Sequence, residues 1–150
     1  MLSILQNRIK SLLEADPWFA DVTVLTHRQG DIASEIDQGV GSLGLLTVVL
    51  LPTGERDPQD RESRMRLRQD IAVSFIENPT TNASDHHAED ALAPAMLALN
   101  DQWNGLGSAT NERAKGNRLY VQSYQLMPDD SGLILYNLFL STHILITPNL

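Results

Sequence analysis

The sequence predicts an α+β protein with a largely antiparallel sheet flanked by helices, in the order α-β-α-β-β-α-β-β. Three observations lead there. The N-terminal segment repeats apolar residues at helical spacing. Residues 45–51 form a continuous apolar run of strand length. The last third holds two strand-like runs separated by Pro128-Asp129-Asp130-Ser131-Gly132, which reads as a hairpin.

In residues 2–14, Leu2, Leu5, Ile9, Leu12 and Leu13 make one stripe, with Asn7, Arg8 and Lys10 off it. Asp16-Pro17 ends this helix, because the residue before a proline is pushed out of the helical region. Trp18 and Phe19 follow as core anchors. Residues 21–27 read as a short strand with Val22 and Val24 on one face. Asp31 caps a second helical pattern, Ile32, Ile36, Val40 and Leu43, which Gly39, Gly41 and Gly44 weaken and stop. The run at 45–51 suits a central strand covered on both faces. Residues 52–63 read as an exposed, mobile loop.

Residues 64–77 alternate: Met65, Leu67, Ile71, Val73 and Phe75 take one face, and Arg64, Arg66, Arg68, Asp70 and Ser74 the other. After a turn-rich stretch at 78–84, a helix is expected from Ser84 to about Trp103, with Ala88, Leu92, Ala95, Leu99 and Trp103 on its stripe. Pro94 should kink or split it. The hairpin strands are 117–127 and 133–147.

Composition narrows the function. At 150 residues the chain fits one domain, 1–150, which buries roughly two-thirds of the surface its unfolded chain exposes and folds without a staple. There is no cysteine, hence no disulfide scaffold, thiolate metal site or Cys nucleophile. The formal charge of -8 disfavours unspecific binding to DNA or to an anionic membrane. No apolar run approaches the length of a membrane span, and no basic n-region with a cleavage site opens the chain. A soluble, unsecreted globular domain is the expectation.

Two motifs look chemical. Gly39-Val40-Gly41-Ser42-Leu43-Gly44 matches G-x-G-x-x-G, but it lies after a helix and before a strand, so the helix dipole points away from any phosphate. Helix termination and tight packing explain it better. Asp85-His86-His87-Ala88-Glu89-Asp90 is the densest cluster of metal-ligand residue types; His86, His87 and Asp90 would be the ligands of a small metal-dependent hydrolase. No H-E-x-x-H signature accompanies it, and acids in a first helical turn are favoured by the dipole alone. Nucleophile elbows and phosphate loops are missing, so neither catalytic residues nor a cofactor is expected.

Arg64, Arg66 and Arg68, with Arg56 and Arg61 nearby, form the only basic stretch, offset by Glu55, Asp57, Asp60, Glu62 and Asp70. No aromatic residue interleaves with them, as a single-strand nucleic-acid binder would require. A salt-bridged surface or an interface with an acidic neighbouring chain is the expected role. Glu55, Arg56, Asp57, Asp60, Arg64, Arg66 and Arg68 are therefore the candidate interface residues.

The layout itself is similar to a known family. An amphipathic helix, a short strand and a small helix ending in glycines precede the apolar strand Gly44-Leu45-Leu46-Thr47-Val48-Val49-Leu50-Leu51-Pro52. A long strand at 66–77, a helix and a hairpin straddling 128–132 follow. Over almost the whole chain this resembles the tail terminator, or tail completion, proteins of long-tailed bacteriophages. The resemblance implies a homo-hexameric ring subunit of the virion, assembled in the host cytoplasm, that caps the tail tube and meets the head-neck connector. It implies binding to itself, to the tail tube protein and to the connector protein, with no catalytic residues and no cofactor. Another neck or head-tail connector component has the same implied properties, and a monomeric binding module is the third possibility.

Overall fold

The computed structural model describes residues 1–26, 44–56, 65–107, 117–127 and 131–146. Helix α1 (Leu2–Glu14) buries Leu5, Gln6, Ile9 and Leu13, while Leu2 stays exposed at its start. Asp16 leaves helical geometry as predicted, and its carboxylate accepts a hydrogen bond from the Trp18 amide at 2.9 Å. Pro17 then opens a 3-10 turn, Pro17–Phe19, where its missing N–H costs nothing. Phe19 is buried against Phe75, and Trp18 packs on it edge-on.

The sheet comprises β1 (Thr23–Thr26), β2 (Leu45–Leu50), β3 (Gly54–Arg56), β4 (Met65–Glu77), β5 (Tyr120–Met127) and β6 (Ile134–Ile146). The strand order is β1-β2-β4-β6-β5, with β3 beside β4. Among the described strands only the β1–β2 pair is parallel. The α+β, mostly antiparallel expectation holds. As the continuous apolar run predicts, β2 lies between β1 and β4 with Leu45 to Val49 buried. β4 and β6 are both 13 residues long and pair along their whole length, from Met65↔Ile146 to Glu77↔Ile134.

Three expectations need correction. Residues 52–63 were expected as loop, yet Gly54–Arg56 forms β3, paired Glu55↔Arg68 and Arg56↔Leu67. The cause is the length of β4: β2 reaches only Ala72, and the backbone groups beyond it take the next piece of chain as partner. The helix expected at 84–103 is shorter. A 3-10 turn, Glu89–Ala91, leads into α2 (Leu92–Leu99). Asn82 and Ser84 spend their side chains on local backbone groups, which competes with helix in the stretch before. Pro94 is the third residue of α2, inside the first turn, so it removes no intrahelical hydrogen bond and neither kinks nor splits the helix. The apolar stripe is correct as far as Leu99, with Ala88, Leu92, Ala95 and Leu99 all buried, but Trp103 lies beyond the helix end, partly buried, and bridges to Arg118. The helix expected from Asp31 to Leu43, with Gly39 and Gly41, lies outside the described residues.

The two faces of the sheet differ. One carries α1 and α2 over Val24, Leu45, Val49, Ile71, Val73, Phe75, Leu138, Leu140 and Ile144, the main core. The other carries a smaller apolar cluster, Leu46, Val48 and Ile76 with Leu25, Leu50, Leu133 and Leu135. Along β4 and β6 that second face turns polar, beginning with Ser74, whose hydroxyl donates to Asn137 Oδ1 at 2.6 Å. Among the described residues no helix is long and apolar enough to cross a membrane.

Candidate assembly surface

Beyond Ser141, where pairing with β5 stops, β4 and β6 run on together as an arm, joined on one side by β3. Strand alternation decides what this arm shows. Arg66 lies opposite Leu145, and Arg68 opposite His143 and Glu55; directly paired residues share a face, so Arg66, Arg68, Glu55, His143 and Leu145 all lie on the face away from the helices. Glu55, Arg56, Met65, Arg66, Arg68 and Leu145 are exposed. At the base of the arm Asp70 accepts from the Thr53 hydroxyl at 3.1 Å and meets Arg68 Nε at 3.5 Å. The Gln69 amide donates to the carbonyls of Thr53 and Asp70, fixing the step between β2 and β3.

Four of the seven candidate interface residues, Glu55, Arg56, Arg66 and Arg68, are thus brought together on the arm, although Arg56 pairs with Leu67 and so takes the helix-bearing face. Asp57, Asp60 and Arg64 lie outside the described residues. Met65, also exposed, has the parity of Ile71 and, like Arg56, takes the helix-bearing face; sequence reading missed two members of this surface, His143 and Leu145. The parity of β6 and its register with β4 would have been needed to find these two.

A second exposed region is β5. It pairs only with β6 among the described strands, and Gln122 to Leu126 are all exposed. Not one of Tyr120 to Met127 is charged, an unusual choice for an edge strand, which charges ordinarily protect. Tyr124 and Leu126 pair with Leu138 and Tyr136 and so take the helix-bearing face, where they remain 57% and 55% exposed.

The end of the sheet opposite the arm is closed by a polar cluster. Parity puts Glu77 on the core face, and its side chain is only 3% exposed. It accepts three hydrogen bonds: from the Ala88 amide (3.0 Å), Asn82 Nδ2 (2.9 Å) and His87 Nδ1 (2.9 Å). Burial pushes the Glu77 carboxyl up, but the bonds from His87, Ala88 and Asn82, with the charge of His87, outweigh it and hold the carboxyl below its ordinary value. The bond to Glu77, then its charge, raises the His87 imidazole. His86 turns the other way and packs edge-on against Trp18, 4.6 Å between ring centroids. His86, His87 and Asp90 are therefore not brought to one point, and no group of three His, Asp or Glu able to hold a metal exists among the described residues.

No protein-family model matches the chain, and no curated protein matches its sequence. A solved structure does. A chain in the virion of a native gene transfer agent particle is similar in fold, with a TM-score of 0.57 and 16% identity, over 94% of each chain.

Proposed function

We propose that this chain is a virion structural protein: a ring subunit of the tail terminator type that caps a tail tube and joins it to the head-neck connector. The observation that carries this reading is the likeness in fold, nearly end to end, to a chain of a gene transfer agent virion. The arm and the uncharged β5 edge support it, because a ring subunit must present different surfaces to its two neighbours. Its action is binding. A ring, homo-hexameric in this reading, seats on the last layer of the tube and blocks further addition, leaving a lumen for DNA and an upper surface for the connector. The place of work is the virion, after assembly in the host cytoplasm. Nothing in the geometry favours the hydrolase alternative, since Glu77 and Trp18 already engage the two adjacent histidines.

Light scattering of the purified protein across a concentration series, followed by negative-stain imaging of the same peak, tests this. Rings with a mass near six times 16.6 kDa are the expected result. A monomer at every concentration overturns the self-assembling ring.

A further inference from the structure

β5 borders the sheet, and its outer edge is covered only in part. Residues 100–104 run along the stretch that leads into it. The Asp101 amide donates to the Leu119 carbonyl, the Leu119 amide to the Gln102 carbonyl, and the Asn104 amide to the Asn117 carbonyl. Asn100 Oδ1 then accepts from the Val121 amide at 3.1 Å, and there the cover stops. At the bulge that follows, Gln122 turns back and donates from Nε2 to Ser141 Oγ at 3.0 Å. From Ser123 to Met127 no described strand pairs with the outer edge.

Hydrogen-bond parity identifies the groups left open. The Asp70 amide donates to the Thr53 carbonyl, so even-numbered residues of β4 turn their backbone groups toward β2 and β3, and odd-numbered ones toward β6. Val73 therefore bonds Leu138. In β6 the alternate residues Phe139, Asn137 and Leu135 turn toward β5, where Ser123, Gln125 and Met127 are their partners. The main-chain N–H and C=O of Tyr124 and Leu126 are left pointing outward. The side chains of the same two residues are more than half exposed on the helix-bearing face, and no residue from Tyr120 to Met127 is charged.

We infer that this edge is an interaction surface for a second copy of the chain: two β5 strands pair antiparallel about a two-fold axis at Gln125, with Tyr124 of each opposite Leu126 of the other. Neighbouring registers fail. Centring on Tyr124 would set Leu126 against the bulge at Gln122, and centring on Leu126 would set Tyr124 against Pro128, which has no N–H. Centred on Gln125, each Tyr124–Leu126 pair exchanges two N–H···O bonds and lays a ring against an aliphatic side chain on one face. The open stretches of the two copies, Ser123 to Met127, then coincide. Only another extended backbone supplies donors and acceptors at this spacing. The copy of β5 suits the place because like charges across a strand pair repel, and β5 carries none to meet its own sign. This contact goes beyond the ring reading. A two-fold contact closes on two copies and does not continue round a ring, so it belongs to subunits outside one.

The chain has no cysteine, so introduced cysteines report the register. Gln125→Cys puts two thiols across a non-hydrogen-bonded pair, with Cα atoms about 4.5 Å apart, within reach of a disulfide. Ser123→Cys would stand about 13 Å from its own copy at ~3.4 Å per residue, too far to bridge, but directly opposite Met127→Cys of a second protein. Under mild oxidation in dilute solution, Gln125→Cys, and an equal mixture of Ser123→Cys with Met127→Cys, should form covalent dimer at least about tenfold faster than Ser123→Cys or Met127→Cys alone. Adding Leu126→Pro to Gln125→Cys should remove that advantage, since the lost N–H points outward and the β5–β6 ladder keeps its bonds. Leu126→Lys, which keeps the N–H but brings two like charges together, should remove it as well, with thermal melts showing which variant stays folded. Dimer from Gln125→Cys no faster than from Ser123→Cys, or bridging that a folded Leu126 variant leaves unchanged, overturns the contact. Wild-type rings without this bridging would keep the ring reading and refute the contact; bridging in a chain that never forms rings would do the opposite.

Discussion

The two halves of β4 obey one alternation and meet opposite fates. From Ile71 to Glu77 seven consecutive residues are buried, whereas Met65, Arg66 and Arg68 are exposed and Leu67 is only half covered. The difference is not in the strand, which pairs with β6 throughout. It lies in what covers each face. Over the C-terminal half, helices lie on one side and the Leu46, Val48 and Ile76 cluster on the other. Over the N-terminal half the second face is bare and charged. Fold stability should therefore concentrate at the Glu77 end and association at the arm, so substitutions at the two ends should separate the two properties.

The largest effect on folding is expected from Glu77→Ala. It strips three donors of their acceptor, including the buried amide of Ala88, and should cost about 3 kcal/mol in urea unfolding. Glu77→Gln keeps the shape and one acceptor, and should lose about half as much. Equal and negligible losses in both would show that the cluster does not close the sheet.

Gly44→Ala comes next. Gly44 has φ +78, and a Cβ there would lie 2.4 Å from the Asn82 Cα, a backbone atom with nowhere to move. The 78–82 turn is tied to the same place by the Asn78 amide, which donates to the Gly44 carbonyl at 2.8 Å. Strain and overlap together should cost about 2 kcal/mol, read as a fall in the denaturation midpoint without a change of slope.

A smaller effect depends on pH. The His87 imidazole is raised in the folded chain, so its contribution is complete below about pH 6.5 and is lost as the pH climbs through the raised value. The Glu77 carboxyl is lowered, so its contribution is complete above about pH 4.3 and is lost as the pH falls through the lowered value. Both contribute in the interval between. Thermal melts of His87→Ala should fall below wild type most clearly in mildly acidic buffer and converge with it in alkaline buffer. A gap that widens with rising pH would reverse the sign argued here.

Much of this was legible from the chain. The N-terminal stripe, the buried β2 run, the alternation of β4 and the closing hairpin all follow from periodicity, because each depends on which residues share a face. What was not legible depended on partners distant in sequence. β3 exists because β4 outruns β2, and no local pattern in Gly54-Glu55-Arg56 announces a strand. Residues 82–88 carry helix-compatible residues but are claimed by Asn82, Ser84 and the buried Glu77 carboxylate. Glu77 was itself findable: it has the parity of Ile71, Val73 and Phe75, so a charge on the core face demanded partners. On the candidate surface, the arginines and Glu55 were visible in sequence, but the β6 residues across from them, His143 and Leu145, were not.

The smallest effect on folding is expected from Arg68→Ala, and it sharpens the contrast most. Arg68 Nε stands 3.5 Å from Asp70 Oδ1 with both side chains 40% or more exposed, a surface pair worth about 0.5 kcal/mol or less. Unfolding of the monomer in urea should barely register its loss. Asp70 would keep the Thr53 hydroxyl, and the step between β2 and β3 would keep the Gln69 side-chain amide, so neither contact at the base of the arm depends on the guanidinium. A residue that leaves stability untouched yet weakens association is one whose charge faces outward to a partner. Were Arg68→Ala instead to cost as much as Gly44→Ala, the arm would be part of the fold's support, and the division of labour between the halves of β4 would fail.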